Sequence, residues 1–172
     1  MDFYKLVSNR ESIRSYDPDR KVPEDALKRI LAAGVAAPSA GNRQPWEFLL
    51  VSSSKMLDKI RPCYKAGWFQ KAPHILIVKG DYSKAWVREE DNYNTLETDL
   101  TIAMDHMILA AEYEGVATCW IAAFSPETLK EALSLGENER VFAITPIGYT
   151  EKGFSKKGRK LRRNFDEVVR FI

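Results

Sequence analysis

Three polar clusters along the 172-residue chain have the residue types and spacing to do chemistry. In "NRESIRSY", Arg10, Ser12 and Arg14 alternate with other residues, and alternation along an extended segment turns all three to one side. Two guanidinium forks and a hydroxyl facing one way suit a phosphate or a row of oxygens. The same residues also suit a solvated loop with ion pairs to Glu11 or Asp17. In "APSAGNRQPWEF", from Ala37 to Phe48, Ser39, Asn42 and Gln44 crowd polar groups into a short connector. They could meet a ligand's hydroxyls, because amides offer donors and acceptors. They could equally satisfy only a turn around Gly41. In "KGFSKKGRKLRR", Lys152 to Arg163, seven basic residues occur without an acid.

That basic run changes how the net charge of +2 is read, because the rest of the chain nets −5 (19 basic residues against 24 acidic). A basic block on an acidic body calls for a phosphate, a nucleic acid or only solvent. The run has no aromatic interleaving and no recognisable nucleic-acid motif, which argues against nucleic acid. Other chemistries find no support. The chain has neither G-x-G-x-x-G nor G-x-x-x-x-G-K-[ST]. His74 and His106 lack Ser/Asp partners and metal-ligand spacing, so both read as structural and no metal site is expected. Cys63 and Cys119 lie far apart and read as reduced thiols, Cys119 buried, with no cation expected beside it to activate it. No apolar run approaches the roughly 20 residues of a membrane span. The N-terminus lacks the pattern of a signal peptide. A cytoplasmic protein is the expectation.

These clusters must be held by elements that the hydrophobic pattern outlines. Composition is globular, 45% hydrophobic and 29% charged, and the length suits a single domain over 1–172 with a basic C-terminal segment, 152–172. Helices are predicted over 2–9, from Pro23 to Pro38, over 53–62 with Ser53 or Ser54 as cap, over 96–115 ending at Gly115, and over 125–135 with Ser125 as cap. Strands are predicted at 46–52, 74–80, 116–124 and 140–149. The unbroken apolar run "HILIVKG" is typical of a parallel strand buried on both faces. The polar stretch 81–95 reads as a mobile excursion.

Taken together and in order, "RESIR", "APSAGNRQPW", "GVATCWIAAF", "PIGY" and the late basic segment resemble the nitroreductase family of FMN-dependent oxidoreductases over nearly the whole chain. The resemblance implies an α+β fold, a mixed, mostly antiparallel central sheet flanked by helices, in an intertwined homodimer with FMN at the interface. That overrides the parallel reading. It also implies that Arg10 and Ser12 hold the FMN phosphate and that Arg14 reaches the ribityl chain or the N1/O2 edge of the flavin. Pro38, Ser39, Ala40, Asn42 and Gln44 would come from the partner protomer. Trp120, Ile121, Ala122 and Ala123 would pass close to the ring and offer a backbone N–H to N5. Many relatives have glycine where this chain has Ala122 and Ala123, which leaves the donor open. Lys160 and Arg162 would complete the phosphate site, with Arg159 in reserve. Trp46 would pack under the loop.

The activity so implied is reduction of nitroaromatic, quinone or similar flat acceptors by NAD(P)H, in ping-pong hydride transfer through flavin N5. No catalytic side chain is required, because the cofactor carries the chemistry. Lys65–Lys71 and Asp81–Thr95 would wall the substrate channel. The alternatives are a specialised flavin reaction of dehalogenase or ene-reductase type, or a non-catalytic flavin-binding redox module. No nucleic-acid or membrane partner is implied.

Overall fold

Helix starts in the computed structural model, which describes residues 1–158 and 160–172, follow local chemistry. The Asp2 carboxylate accepts from the Lys5 N–H at 2.9 Å and caps α1 (Phe3–Asn9). Pro23 precedes α2 (Glu24–Val35), whose first turn carries Glu24 and Asp25. Strand β1 (Trp46–Val51) leads to α3 (Ser54–Ile60), the short α4 (Gly67–Gln70) and strand β2 (His74–Asp81). A small hairpin follows, β3 (Val87–Arg88) with β4 (Tyr93–Asn94), and then the long helix α5 (Leu96–Tyr113). After β5 (Ala117–Thr118), the Ser125 hydroxyl caps α6 (Pro126–Leu133) by accepting from the Thr128 N–H. Strand β6 (Glu139–Gly148) and the short α7 (Phe165–Val168) complete the order.

The main sheet has the order β1-β2-β6-β5, and every strand pair in it is antiparallel. The sole parallel pairing among the described residues is the isolated bridge from Ser12 to Thr118. The parallel reading of 74–80 is therefore corrected. The run is apolar on both sides because helices cover both faces, whatever the direction of its neighbours. Leu76 and Val78 join the cluster under α2 and α5, while Ile75 and Ile77 join the cluster under α3 and α6. Ile75, Leu76 and Ile77 are each at most 1% exposed, and burying such a side chain is worth roughly 1.5–3 kcal/mol. Gly34 lets α2 approach α5, since a Cβ there would sit 2.7 Å from the Met107 side chain.

The predicted strand 116–124 is largely absent. Pairing is confined to β5 and one bridge, Ile121 with Ile144, in the same register. Pro146 causes the gap. The rung between those two pairings would join Cys119 to Pro146, and proline has no N–H to give. The Cys119 N–H turns instead to the Thr145 hydroxyl, 3.0 Å away. The polar excursion 81–95 carries the hairpin. Arg88 forms a two-pronged pair with Asp91 across its tip, and the Asn94 side-chain amide donates to the Tyr82 carbonyl. Among the described residues no helix is long and apolar enough to cross a membrane.

His74 is a structural group, buried at the start of β2. Its Nε2 accepts from the Val22 N–H at 3.3 Å, so its Nδ1 carries the proton and faces the Ser52 hydroxyl at 2.7 Å. Burial, helped by Lys21, pushes its pKa below the ordinary histidine value. The unfolded chain therefore takes up this proton first as pH falls. The stabilisation is complete above the unfolded pKa near 6.5 and is lost as pH drops towards the folded value. Thermal melts from pH 7.5 to 5 are expected to show a falling Tm that His74→Gln flattens. Parallel curves for the two proteins would contradict this assignment.

Candidate active site

The segment 10–16 runs along the edge of the sheet beyond β5. Its Ile13 N–H donates to the Thr118 carbonyl at 2.8 Å, and the Tyr16 hydroxyl donates to the Ile13 carbonyl at 2.9 Å. Ile13 is buried between the exposed Ser12 and Arg14, as the alternation predicts, whereas Tyr16, of the same parity as those two, is buried and departs from it. Arg10 Nη1 lies 3.4 Å from the Ser12 hydroxyl oxygen. Among the described residues, neither Arg10 nor Arg14 pairs with Glu11 or Asp17.

The basic tail folds back onto this segment. Lys160 Nζ donates to the Val7 carbonyl at 2.9 Å, and the Glu11 carboxylate accepts from the Lys157 and Gly158 N–H groups at 3.1 and 2.8 Å. Arg10, Ser12, Lys157, Lys160 and Arg162 thus line one cleft of about 210 Å³ with Glu11. The single carboxylate is already engaged by two amides. Burial first, then Arg10 and Arg162, hold the Lys160 pKa below the ordinary lysine value, although Glu11 and Glu112 pull the other way. A cleft in which cations repel one another favours an anion. Arg159 lies outside the described residues.

Arg14 stands apart from the cleft, with its guanidinium 5.9 Å from the centre of the Trp68 ring. The Cys119 thiol is buried within the electrostatic reach of Arg10, Arg14 and Tyr16. Burial raises its pKa against the opposing influence of Arg14, Ser12 and Arg10. The thiol is thus raised by burial despite the nearby cations, which corrects the expectation that none would lie beside it. Burial likewise pushes Cys63 up to about 11.

The second cluster is a tight turn before β1. Asn42 and Gln44 have φ of 53° and 48°, a left-handed conformation costly for residues with side chains. The Ser39 hydroxyl accepts from the Gln44 N–H at 2.9 Å, and the Gln44 side-chain amide donates to Asn42 Oδ1 at 3.1 Å. The turn chemistry is therefore real, but it does not exhaust these groups. The Asn42 Nδ2 and Gln44 Oε1 have no protein partner among the described residues. Asn42, Gln44 and Pro38 are exposed; Ser39 and Ala40 are half-buried. Trp46 stacks on Phe48 and packs against the main core.

Sheet register sets the two clusters far apart. Ser12 bridges to Thr118, which pairs with Ile147; Trp46 pairs with Gly80, which pairs with Arg140 at the other end of β6. Four inter-strand steps of about 4.8 Å and seven residues of about 3.3 Å separate them by roughly 25–30 Å. The stretch 120–123 runs from the first cluster along β6. Trp120 packs on Phe142, Ile121 is buried, and Ala122 and Ala123 are exposed. Among the described residues the Ala122 and Ala123 N–H groups have no protein acceptor.

The family model described as "Nitroreductase family" matches residues 7–74 and 55–149. The chain belongs to the nitroreductase family. It is similar to an Archaeoglobus fulgidus protein whose provisional name couples NADH dehydrogenase with NAD(P)H nitroreductase, 32% identical over 157 residues covering 87% of each. A nitroreductase family protein of Clostridium difficile superposes with a TM-score of 0.90 at 32% identity, over 99% of this chain and 98% of that one. A Desulfovibrio desulfuricans protein solved in complex with FMN gives a TM-score of 0.81 at 26% identity, over 96% and 94%.

Against this nitroreductase background, three residues that sequence reasoning passed over stand out. Asp99, 2% exposed, accepts from the Ala40 N–H at 2.9 Å and from the Thr95 hydroxyl at 3.2 Å. It ties α5 to the Ser39–Gln44 turn. Trp86 lies over Gly41, where a Cβ would come within 3.3 Å of its ring, and so docks the hairpin on the same turn. Lys157 joins the basic cleft. An acid within the apolar stripe of α5 was the one available signal for Asp99.

Proposed function

We propose that this chain is an FMN-dependent oxidoreductase that uses NAD(P)H to reduce nitroaromatic, quinone or similar flat acceptors. The observation that carries this reading is the convergence of Arg10, Ser12, Lys160 and Arg162, distant in sequence, on one cation-rich cleft. Its donor set fits a phosphate ester: guanidinium forks, an ammonium and a hydroxyl around a cavity with no free acid. Arg14 supplies a positive charge that stabilises negative charge on the ring. The unpartnered N–H groups of Ala122 and Ala123 are donors available to the ring edge. When bound, FMN supplies two-electron transfer, accepting from NAD(P)H and then delivering to the acceptor. The segments Lys65–Lys71 and Asp81–Thr95, which carry Trp68 and Trp86, are the walls of the substrate channel in this reading.

The functional unit in this reading is a homodimer. A separation of roughly 25–30 Å between the two clusters, from strand spacing, exceeds the reach of one FMN. Ser39, Asn42 and Gln44 therefore serve the cofactor held by the other subunit. Exposed apolar side chains at both ends of the chain, among them Tyr4 and Phe171, 81% and 89% exposed, supply surface for that contact.

Purified protein is expected to be yellow, with an oxidised-flavin spectrum that NADH or NADPH bleaches and an added nitroaromatic or quinone restores. A colourless protein that cannot be reconstituted with FMN would end this proposal. Bound FMN that resists both nicotinamides would favour a redox module without turnover.

A further inference from the structure

We infer that Trp68 is a positioning residue for Arg14: its indole face fixes the guanidinium without neutralising it, and so sets how strongly this chain favours reduced over oxidised flavin. The inference rests on the reading of Arg14 as the cation beside the flavin ring. Among the described residues Arg14 has no carboxylate and no hydrogen-bond partner, and its one oriented contact is the Trp68 ring at 5.9 Å. A carboxylate partner would hold the guanidinium but cancel its charge. An aromatic face holds it through the ring quadrupole and leaves the charge available to an anion.

The ring is fixed from several sides. It stacks on Tyr16 at 6.2 Å and 26°, and meets the edges of Tyr64 and Phe69 at 5.6 and 6.4 Å. Phe69, next in sequence, is fully buried and anchors α4. The Gln70 side-chain amide donates to the Tyr64 and Arg61 carbonyls at 2.7 and 3.1 Å, which closes the loop behind the helix. Tyr16 belongs to the strap that carries Arg14, and its hydroxyl bonds back to Ile13. Plate and cation are thus tied to one another through Tyr16, while the long Arg14 side chain has only the plate to settle on.

The test compares wild type, Trp68→Met, Trp68→Phe, Arg14→Ala and Arg14→Ala/Trp68→Met as FMN-loaded holoproteins, reading the flavin midpoint potential and the FMN dissociation constant. Trp68→Met fills the space with a flexible apolar chain. A cation–π contact of this exposure corresponds to roughly a threefold preference, so the potential is expected to fall by about 14 mV at 29.6 mV per tenfold. Trp68→Phe, which keeps a ring, is expected to recover most of this. Arg14→Ala is expected to lower the potential further, and Trp68→Met to add nothing on that background. Arg14→Lys is read in parallel, because an ammonium does not lie flat on the ring. It is expected to fall between wild type and Arg14→Ala even if the Trp68 variants fold poorly.

If Arg14→Ala shifts the potential while Trp68→Met does not, or if the two effects add, Trp68 acts through packing and the inference falls alone. A wild-type potential in Arg14→Lys overturns it as well. If Arg14→Ala leaves the potential unchanged, the reading of Arg14 falls and takes this inference with it.

Discussion

Replacing Arg10 by alanine is expected to weaken FMN binding by roughly one to two orders of magnitude while leaving riboflavin binding nearly unchanged. Hydrogen bonds to charged groups contribute about 1.5–3 kcal/mol, and the guanidinium fork of Arg10 matches phosphate oxygens. Arg10 is half-buried beside Ser12, so solvent screens it less than the exposed Arg162. Arg162→Ala is accordingly expected to cost less and to be more sensitive to salt. Loss of Arg10 also relieves the repulsion that depresses the Lys160 pKa, since Arg10 is one of its causes. Fluorescence titration of apoprotein with FMN and with riboflavin separates phosphate recognition from ring recognition. An FMN affinity within threefold of wild type would remove the phosphate role of the cleft. Equal losses for FMN and riboflavin would mean that Arg10 acts on the fold.

The strap that lines the basic cleft was legible because its signals are local. The alternation of Arg10, Ser12 and Arg14 with buried Ile13 is a period-two pattern readable within five residues, and Ser125 and Gly115 mark their helix ends in the same way. What the chain hides is pairing at a distance. Ile75 to Val78 are apolar on both faces whether their neighbours run parallel or antiparallel, so the pattern cannot state strand direction. The early end of β5 depends on Pro146 lying opposite Cys119, a fact of register. Asp99 looks like one acid among several on α5 until its partner, the Ala40 N–H, is found 59 residues away. The contact of Arg14 with Trp68 is likewise invisible in sequence. Motif order, by contrast, carried the family, because it is read along the chain and needs no knowledge of which strands or residues pair.

That division between local and distant information bears on the largest effect expected of this chain, trans-complementation. Two defective variants, Arg10→Ala and the triple variant Ser39→Ala/Asn42→Ala/Gln44→Ala, are each expected to bind little FMN alone. If the site is composite, a mixed dimer places both lesions in one site and leaves the other wild type. Refolding or co-expressing the two in equal amounts then makes about half the dimers mixed and restores about a quarter of all sites. A site built within one protomer cannot behave this way, because every copy keeps its own lesion. The register supports the composite arrangement, because the turn before β1 and the strap beyond β5 lie at opposite edges and opposite ends of one sheet. Tagging the two variants differently isolates the mixed dimer, and its flavin absorbance per dimer gives the answer. Close to one FMN per mixed dimer bears out cofactor binding across the interface. None, or a monomeric chain that retains FMN, places both clusters' roles within single protomers and leaves dimerisation without a part in cofactor binding.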